Sequence, residues 1–176
     1  MESKKAVRAR LRVRPPVIAE ESAAVSDHLR HWLADQPPSR ILVYLPMPGE
    51  VDVTSVVDDR HDWYTTRTPG GRAPLTVHPY GARRERHPFG YEHPVAESEA
   101  LDPRQLDIVL TPALSFARNG KRIGWGMAYY DGLFAAAGDV VAVGVTLERL
   151  LVDDLPTEPH DRAMDWLATD RGVYRP

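Results

Sequence analysis

Cysteine is absent from the 176-residue chain, which excludes disulfide scaffolds, thiolate-bound zinc, iron–sulfur clusters and thiol nucleophiles. No apolar run approaches the roughly 20 residues of a membrane span. The first residues include Glu2, Lys4 and Lys5 rather than an apolar leader core, so a cytoplasmic protein is expected. Internal repeats and low-complexity tracts are also missing. The length suits one domain that buries its own core without staples. The 16 prolines and 12 glycines are scattered, punctuating a single domain over residues 1–176.

Charge is present but unevenly placed. Residues 1–14 carry six cations (Lys4, Lys5, Arg8, Arg10, Arg12 and Arg14) against Glu2, and this +5 leaves −8 for the rest of a chain whose net charge is −3. Such a segment suits nucleic acid, a polyanionic small molecule such as a triphosphate, or simply a solvated helix face. The acidic remainder argues against RNA, whose binding would carry a steep salt dependence.

Ser3 is placed to cap a first helix that ends before Pro15-Pro16, and a second helix is expected over 17–34, before Pro37-Pro38. Ile41-Leu42-Val43-Tyr44-Leu45, stopped by Pro46, has the β-branched, wholly apolar character of a strand buried on both faces. Thr54 is expected to cap a short helix through Val57. Further strands are expected over 63–66, 75–78 and 106–111, with a Pro-, Gly- and Arg-rich connection before the last of these. A glycine-rich loop (120–126), a helix (129–137, ending at Gly138) and a strand (140–145) then form a βαβ-type unit. This alternation predicts an α/β fold with a mainly parallel sheet covered on both faces, whose ligands sit beyond the carboxyl ends of the strands. The loops after Leu45 and Leu110 are therefore the candidate site.

The segment Asn119-Gly-Lys-Arg-Ile-Gly-Trp-Gly-Met-Ala-Tyr-Tyr-Asp131 carries the most chemistry. Backbone N–H groups in such a loop, aided by a following helix N-terminus, cradle phosphate oxygens, although an ordinary surface turn has the same glycine spacing. It is not a Walker loop, because Gly-Lys-Ser/Thr is missing, and Gly124-x-Gly126 lacks the third glycine of a dinucleotide fingerprint. Arg122 adds a bidentate fork for phosphate and Asp131 a hard oxygen ligand for Mg²⁺.

At these residues the chain resembles the 5-formyltetrahydrofolate cyclo-ligase family. The signature of that family is an Asp-hydrophobic strand, a Pro and a Phe, then Gly-x-Arg-Leu-Gly-x-Gly-x-Gly-Tyr-Tyr-Asp. Here stand Asp107-Ile-Val-Leu-Thr-Pro112, Phe116, Gly120-Lys-Arg-Ile-Gly-Trp-Gly126 and Tyr129-Tyr130-Asp131. Lys4-x-x-Val7-Arg8, Tyr44-Leu-Pro-x-x-x-Glu50-Val-Asp-Val-Thr54 and His160-Asp161 match in the same order, so the resemblance spans nearly the whole chain.

The resemblance implies a three-layer α/β/α sandwich of the CoA-transferase-like kind. It also implies ATP- and Mg²⁺-dependent cyclisation of 5-formyl- to 5,10-methenyltetrahydrofolate with release of ADP and phosphate. Catalysis would fall to Arg122 and Tyr129. ATP would be bound by Lys4, Arg8, Arg122, Gly124, Gly126 and Tyr130, the basic N-terminal helix (about 3–14) contributing to the nucleotide site. The folate would meet Leu45, Glu50, Trp125, Met127, Ala128 and Tyr129, and Mg²⁺ would meet Asp131 and Asp161. The expected partner is a reduced folate, polyglutamylated forms included, with no nucleic acid or membrane, in a monomer or weak homodimer. Read without the family, Lys4 and Arg8 are a solvated stripe, Glu50 a turn residue, Tyr129 and Tyr130 core aromatics, and Asp131 and Asp161 surface acids.

Three segments depart from the pattern. The family's third loop glycine is Ala128, preceded by Met127; a positive φ or a close backbone approach there would meet its Cβ, whereas a negative φ would tolerate it. Trp125 puts a large ring where a cation is common. Phe89-Gly90-Tyr91-Glu92-His93-Pro94 replaces a Gly-hydrophobic-Pro-Glu-Pro segment. These changes leave open an ATP-dependent kinase or ligase for another small molecule, or a non-catalytic nucleotide- or folate-binding protein. His28 and His31, beside Trp32, lack a third metal ligand and read as a surface helix. Arg83-Arg84-Glu85-Arg86 reads as a solvated loop or a rim near an anionic substrate.

Overall fold

The computed structural model describes residues 3–13, 15–71, 73–158 and 161–176. The first helix, α1 (Lys4–Leu11), begins as expected, with the Ser3 hydroxyl accepting from the Ala6 N–H. The second, α2 (Ala19–Ala34), starts later than the pattern suggests, because Ile18 is extended and its N–H is taken by Glu21 Oε2. Arg149 then pairs with Glu21 and, with that N–H, pulls its carboxyl down to about 2. Val25, Leu29 and Leu33, four residues apart along α2, are all buried.

The main sheet comprises β1 (Arg40–Leu42), β2 (Asp62–Arg67), β3 (Thr76–Pro79), β6 (Ile108–Thr111), β9 (Val141–Val145), β10 (Trp166–Thr169) and β11 (Gly172–Tyr174). Its order is β11-β10-β9-β6-β1-β2-β3. The five inner strands are parallel, and β3 and β11 are antiparallel edges. Alternate side chains feed two cores. Ile41, Ile108, Leu110 and Val143 pack with α2, while Leu42, Val109, Ala142 and Leu167 pack with Leu133, Phe134 and Ala137 of α3 (Tyr129–Ala137). A strand that must be apolar on both faces loses the period-2 alternation, which is why β1 and β6 read as continuous hydrophobic runs. The result is the expected three-layer α/β/α arrangement.

Several local expectations need correction. Thr54 does not cap: the short segment is a 3-10 helix, Thr54–Val56, with Val53 before it, and Asp52 Oδ1 accepts from both the N–H and the hydroxyl of Thr54. The connection after β3 contains a hairpin of β4 (Arg84–Arg86) and β5 (Glu92–Pro94), so Arg84-Glu85-Arg86 is strand rather than loop. The glycine-rich loop is likewise interrupted, since β7 (Ser115–Phe116) pairs with β8 (Arg122–Ile123). The chain closes with two antiparallel strands, β10 and β11. No helix among the described residues is long and apolar enough to cross a membrane.

Gly144 shows how tightly β9 meets its neighbours. A Cβ on it would lie 2.6 Å from Phe116 Cε1 and 3.0 Å from Leu167 Cδ2, and both side chains are wholly buried. Gly144→Ala should therefore cost about 1–3 kcal/mol through overpacking. Denaturant unfolding checks this, and an unchanged midpoint would show that the Phe116 ring yields without cost.

Candidate functional site

Beyond the carboxyl ends of β1 and β6 lies a cavity of about 660 Å³. Residues of α1, the turn after β1, and the glycine loop with the start of α3 line it, together with others from the end of β2 and the β4–β5 hairpin. Lys4 and Arg8 of α1 and Arg12, its C-cap, spaced four residues apart, all line it. Val7, on another face of α1, is buried with Leu114, Ala117, Ile123 and Leu155, and this cluster seats the helix.

Lys4 is held by acid. Its Nζ lies 2.6 Å from Glu158 Oε2 and 2.7 Å from Asp161 Oδ2. Burial works against its charge, but the hydrogen bonds to Asp161 and Glu158 outweigh burial and hold the ammonium above its ordinary range. Asp161 Oδ2 also accepts from the Glu158 N–H, at 2.7 Å. Arg8 turns instead toward the loop, its Nε donating to the Gly124 carbonyl at 2.9 Å.

Arg122 projects from β8, nearly buried, and pairs with Asp131 of α3. Its guanidinium lies 5.9 Å from the Phe134 ring centroid. Its Nε is buried without a hydrogen-bond partner among the described residues, a donor that a phosphate or carboxylate oxygen would satisfy. Glu50, which also lines the cavity, closes the turn after β1: its Oε2 accepts from the Met47 N–H at 2.9 Å and its Oε1 from Trp125 Nε1 at 3.2 Å. Burial, and then the Glu50 charge, push the Tyr130 phenol well above its ordinary value, against a hydrogen bond with Thr66. Tyr129 reaches outward, its hydroxyl 3.4 Å from the Gly71 carbonyl.

Ala128 stands at the N-cap of α3 with φ 55° and ψ 19°, the left-handed region. Among the described residues it is the only non-glycine with positive φ. Alanine therefore adopts the glycine-like conformation rather than escaping to negative φ, at a conformational cost of about 1–2 kcal/mol.

Every residue singled out from the sequence lines this one cavity, except Asp161, which is joined to it through Lys4. His160 lies outside the described residues. Arg12, read from the sequence only as part of the basic N-terminal helix, continues the spacing of Lys4 and Arg8 into the cavity, and sequence reasoning missed Thr66, Thr68 and Glu158. Phe89 and Tyr91, seen only as a departure, also line the cavity. For a cation, no group of three His, Asp or Glu side chains converges among the described residues. Asp131 and Asp161, the expected Mg²⁺ ligands, are paired with Arg122 and Lys4 respectively.

Comparisons with known proteins bear on the family and the fold. The model of the 5-formyltetrahydrofolate cyclo-ligase family matches residues 1–170. A 5-formyltetrahydrofolate cyclo-ligase of Mycolicibacterium smegmatis is 39% identical over 71 residues, which span 39% of this chain and only 37% of that protein. One from Haemophilus influenzae is 24% identical over 153 residues, 81% of each chain. Among solved structures, the 5,10-methenyltetrahydrofolate synthetase of Aquifex aeolicus superposes with TM-score 0.79 at 26% identity, covering 98% of this chain and 92% of that one. The synthetase of Mycoplasma pneumoniae gives 0.74 at 19% identity over 96% and 99%, a likeness of fold.

The left-handed turn at Ala128 can be tested without any ligand. Ala128→Gly should raise stability by about 1 kcal/mol, read as a higher unfolding midpoint. A lower midpoint would mean that residue 128 sits at negative φ, where glycine costs chain entropy.

Proposed function

Because the chain belongs to the 5-formyltetrahydrofolate cyclo-ligase family, whose named members are ligases, we propose that it cyclises 5-formyl- to 5,10-methenyltetrahydrofolate at the expense of ATP. ADP and phosphate are the other products, and the enzyme works in the cytoplasm. One observation carries this reading. A single cavity is lined together by four cations (Lys4, Arg8, Arg12, Arg122), by Glu50 with aromatic and apolar groups, and by Gly124 and Gly126.

The γ-phosphoryl group passes to the formyl oxygen, N10 attacks the activated formyl carbon, and phosphate leaves. The chemistry needs no protein nucleophile, in keeping with a chain that has no cysteine. Alignment and charge neutralisation do the rest. Arg122 faces the transferring phosphoryl group, to which its buried Nε–H and its fork of N–H donors are matched. Lys4 and Arg8 hold the remaining phosphates. Glu50 accepts from the N–H donors of the pterin, beside Leu45, and Tyr129 stands between the two substrates. Asp131 and Asp161 would hold Mg²⁺, which would supply charge neutralisation at the phosphates. Arg122 and Lys4 pair with those two carboxylates. Binding of phosphate oxygens and cation thus exchanges one set of ion pairs for another rather than burying bare charge.

A second reading, an ATP-dependent enzyme for another small molecule, draws on Trp125 and Ala128, which alter the centre of the loop. With 5-formyltetrahydrofolate, Mg²⁺ and ATP, near-UV absorbance of the product should rise together with ADP. Arg122→Ala should lower kcat/KM at least about 100-fold, with a melting curve confirming that the variant is folded. A folded protein that binds ATP yet shows no rise contradicts the cyclisation, and ADP release stimulated by a different metabolite would favour the second reading.

A further inference from the structure

The loop residue that separates this chain most from a phosphate cradle is Trp125, flanked by Gly124 and Gly126. Between two glycines the backbone does little to fix it; its ring does. The indole is half-buried against the cluster of Val7, Leu114, Ile123 and Leu155 that seats α1. The preceding carbonyl, that of Gly124, is held by Arg8. From this seat Nε1 reaches Glu50 Oε1, at 3.2 Å, across the cavity that both residues line. The other carboxylate oxygen accepts from the Met47 N–H, and the Glu50 N–H in turn donates to the Met47 carbonyl at 3.0 Å. The carboxylate is thus held at one oxygen by its own turn and at the other by an element far away in sequence.

We infer that Trp125 is a positioning residue, whose indole N–H fixes the orientation in which Glu50 meets the N–H donors of the folate. This role rests on the proposed function. An indole is a donor only and carries no charge, so it orients the carboxylate and leaves its negative charge in place for the substrate. The same ring ties that orientation to α1, which carries Lys4 and Arg8. The contact therefore runs from the phosphate-binding helix, through Gly124 and Trp125, to the carboxylate that reads the second substrate. Glu50 is the group that touches the ligand; Trp125 acts through it.

Two measurements test this. In the ligand-free protein the indole N–H signal of Trp125, identified by its loss in Trp125→Phe, should move and exchange faster with water in Glu50→Gln. Trp125→Phe keeps a ring on the Val7 cluster but removes the donor. It should weaken 5-formyltetrahydrofolate binding about tenfold, the scale of one hydrogen bond to a charged group, with nucleotide affinity and melting temperature unchanged. In a Glu50→Gln background the same substitution should add nothing further. An indole signal indifferent to Glu50→Gln, folate affinity untouched by Trp125→Phe, or an equal loss in both backgrounds would each overturn the inference. If the indole responds but the wild type binds no reduced folate, it is the proposed function that fails, and the positioning role falls with it.

Discussion

The docking of α1 against the glycine loop is the constraint on which the site depends. Eight residues, four of them cationic after Ser3, are far below the roughly 12–15 that an isolated helix needs to be even marginally stable in water. Helix α1 persists because Val7 is buried to 2% exposure in its own small cluster. Arg8 ties it to the Gly124 carbonyl, and Lys4 is clamped by Asp161 and Glu158. These contacts place the cations and also seat Trp125, so the cationic side chains and the indole that reaches Glu50 share one foundation.

The electrostatics follow from the same arrangement. A cavity lined by Lys4, Arg8, Arg12 and Arg122 would repel itself if left uncompensated. The fold supplies Asp131 to Arg122, and Asp161 with Glu158 to Lys4. Pairing of this kind is tolerable when each charge is also hydrogen-bonded, as Asp161 is by the Glu158 N–H. Arg122 Nε is the exception: it is buried with no hydrogen-bond partner among the described residues.

Much of this was legible in the sequence, for identifiable reasons. Buried parallel strands announce themselves as unbroken apolar runs, as in Ile41-Leu42-Val43 and Ile108-Val109-Leu110, and Ser3 and Gly138 mark helix ends by their cap chemistry. Hidden from it were features set by tertiary pairing: the two-residue strands Ser115–Phe116 and Arg122–Ile123 are too short to show periodicity. The β4–β5 hairpin brings Phe89 and Tyr91 to the cavity from a stretch whose prolines and arginines look like solvated loop. At Ala128 propensity pointed away from the left-handed region, and the surrounding turn overrode it. The Trp125–Glu50 contact joins positions 75 residues apart, and no local pattern reports it.

Amide hydrogen exchange, followed first with ATP and Mg²⁺ and then with 5-formyltetrahydrofolate added, tests the assembled site most directly. A two-substrate cavity seated on α1 predicts that nucleotide slows exchange in residues 4–11 and 122–131 together, and that folate extends the protection to residues 45–50. Protection confined to regions away from these segments, or slowing of the glycine loop with α1 unaffected, would contradict it.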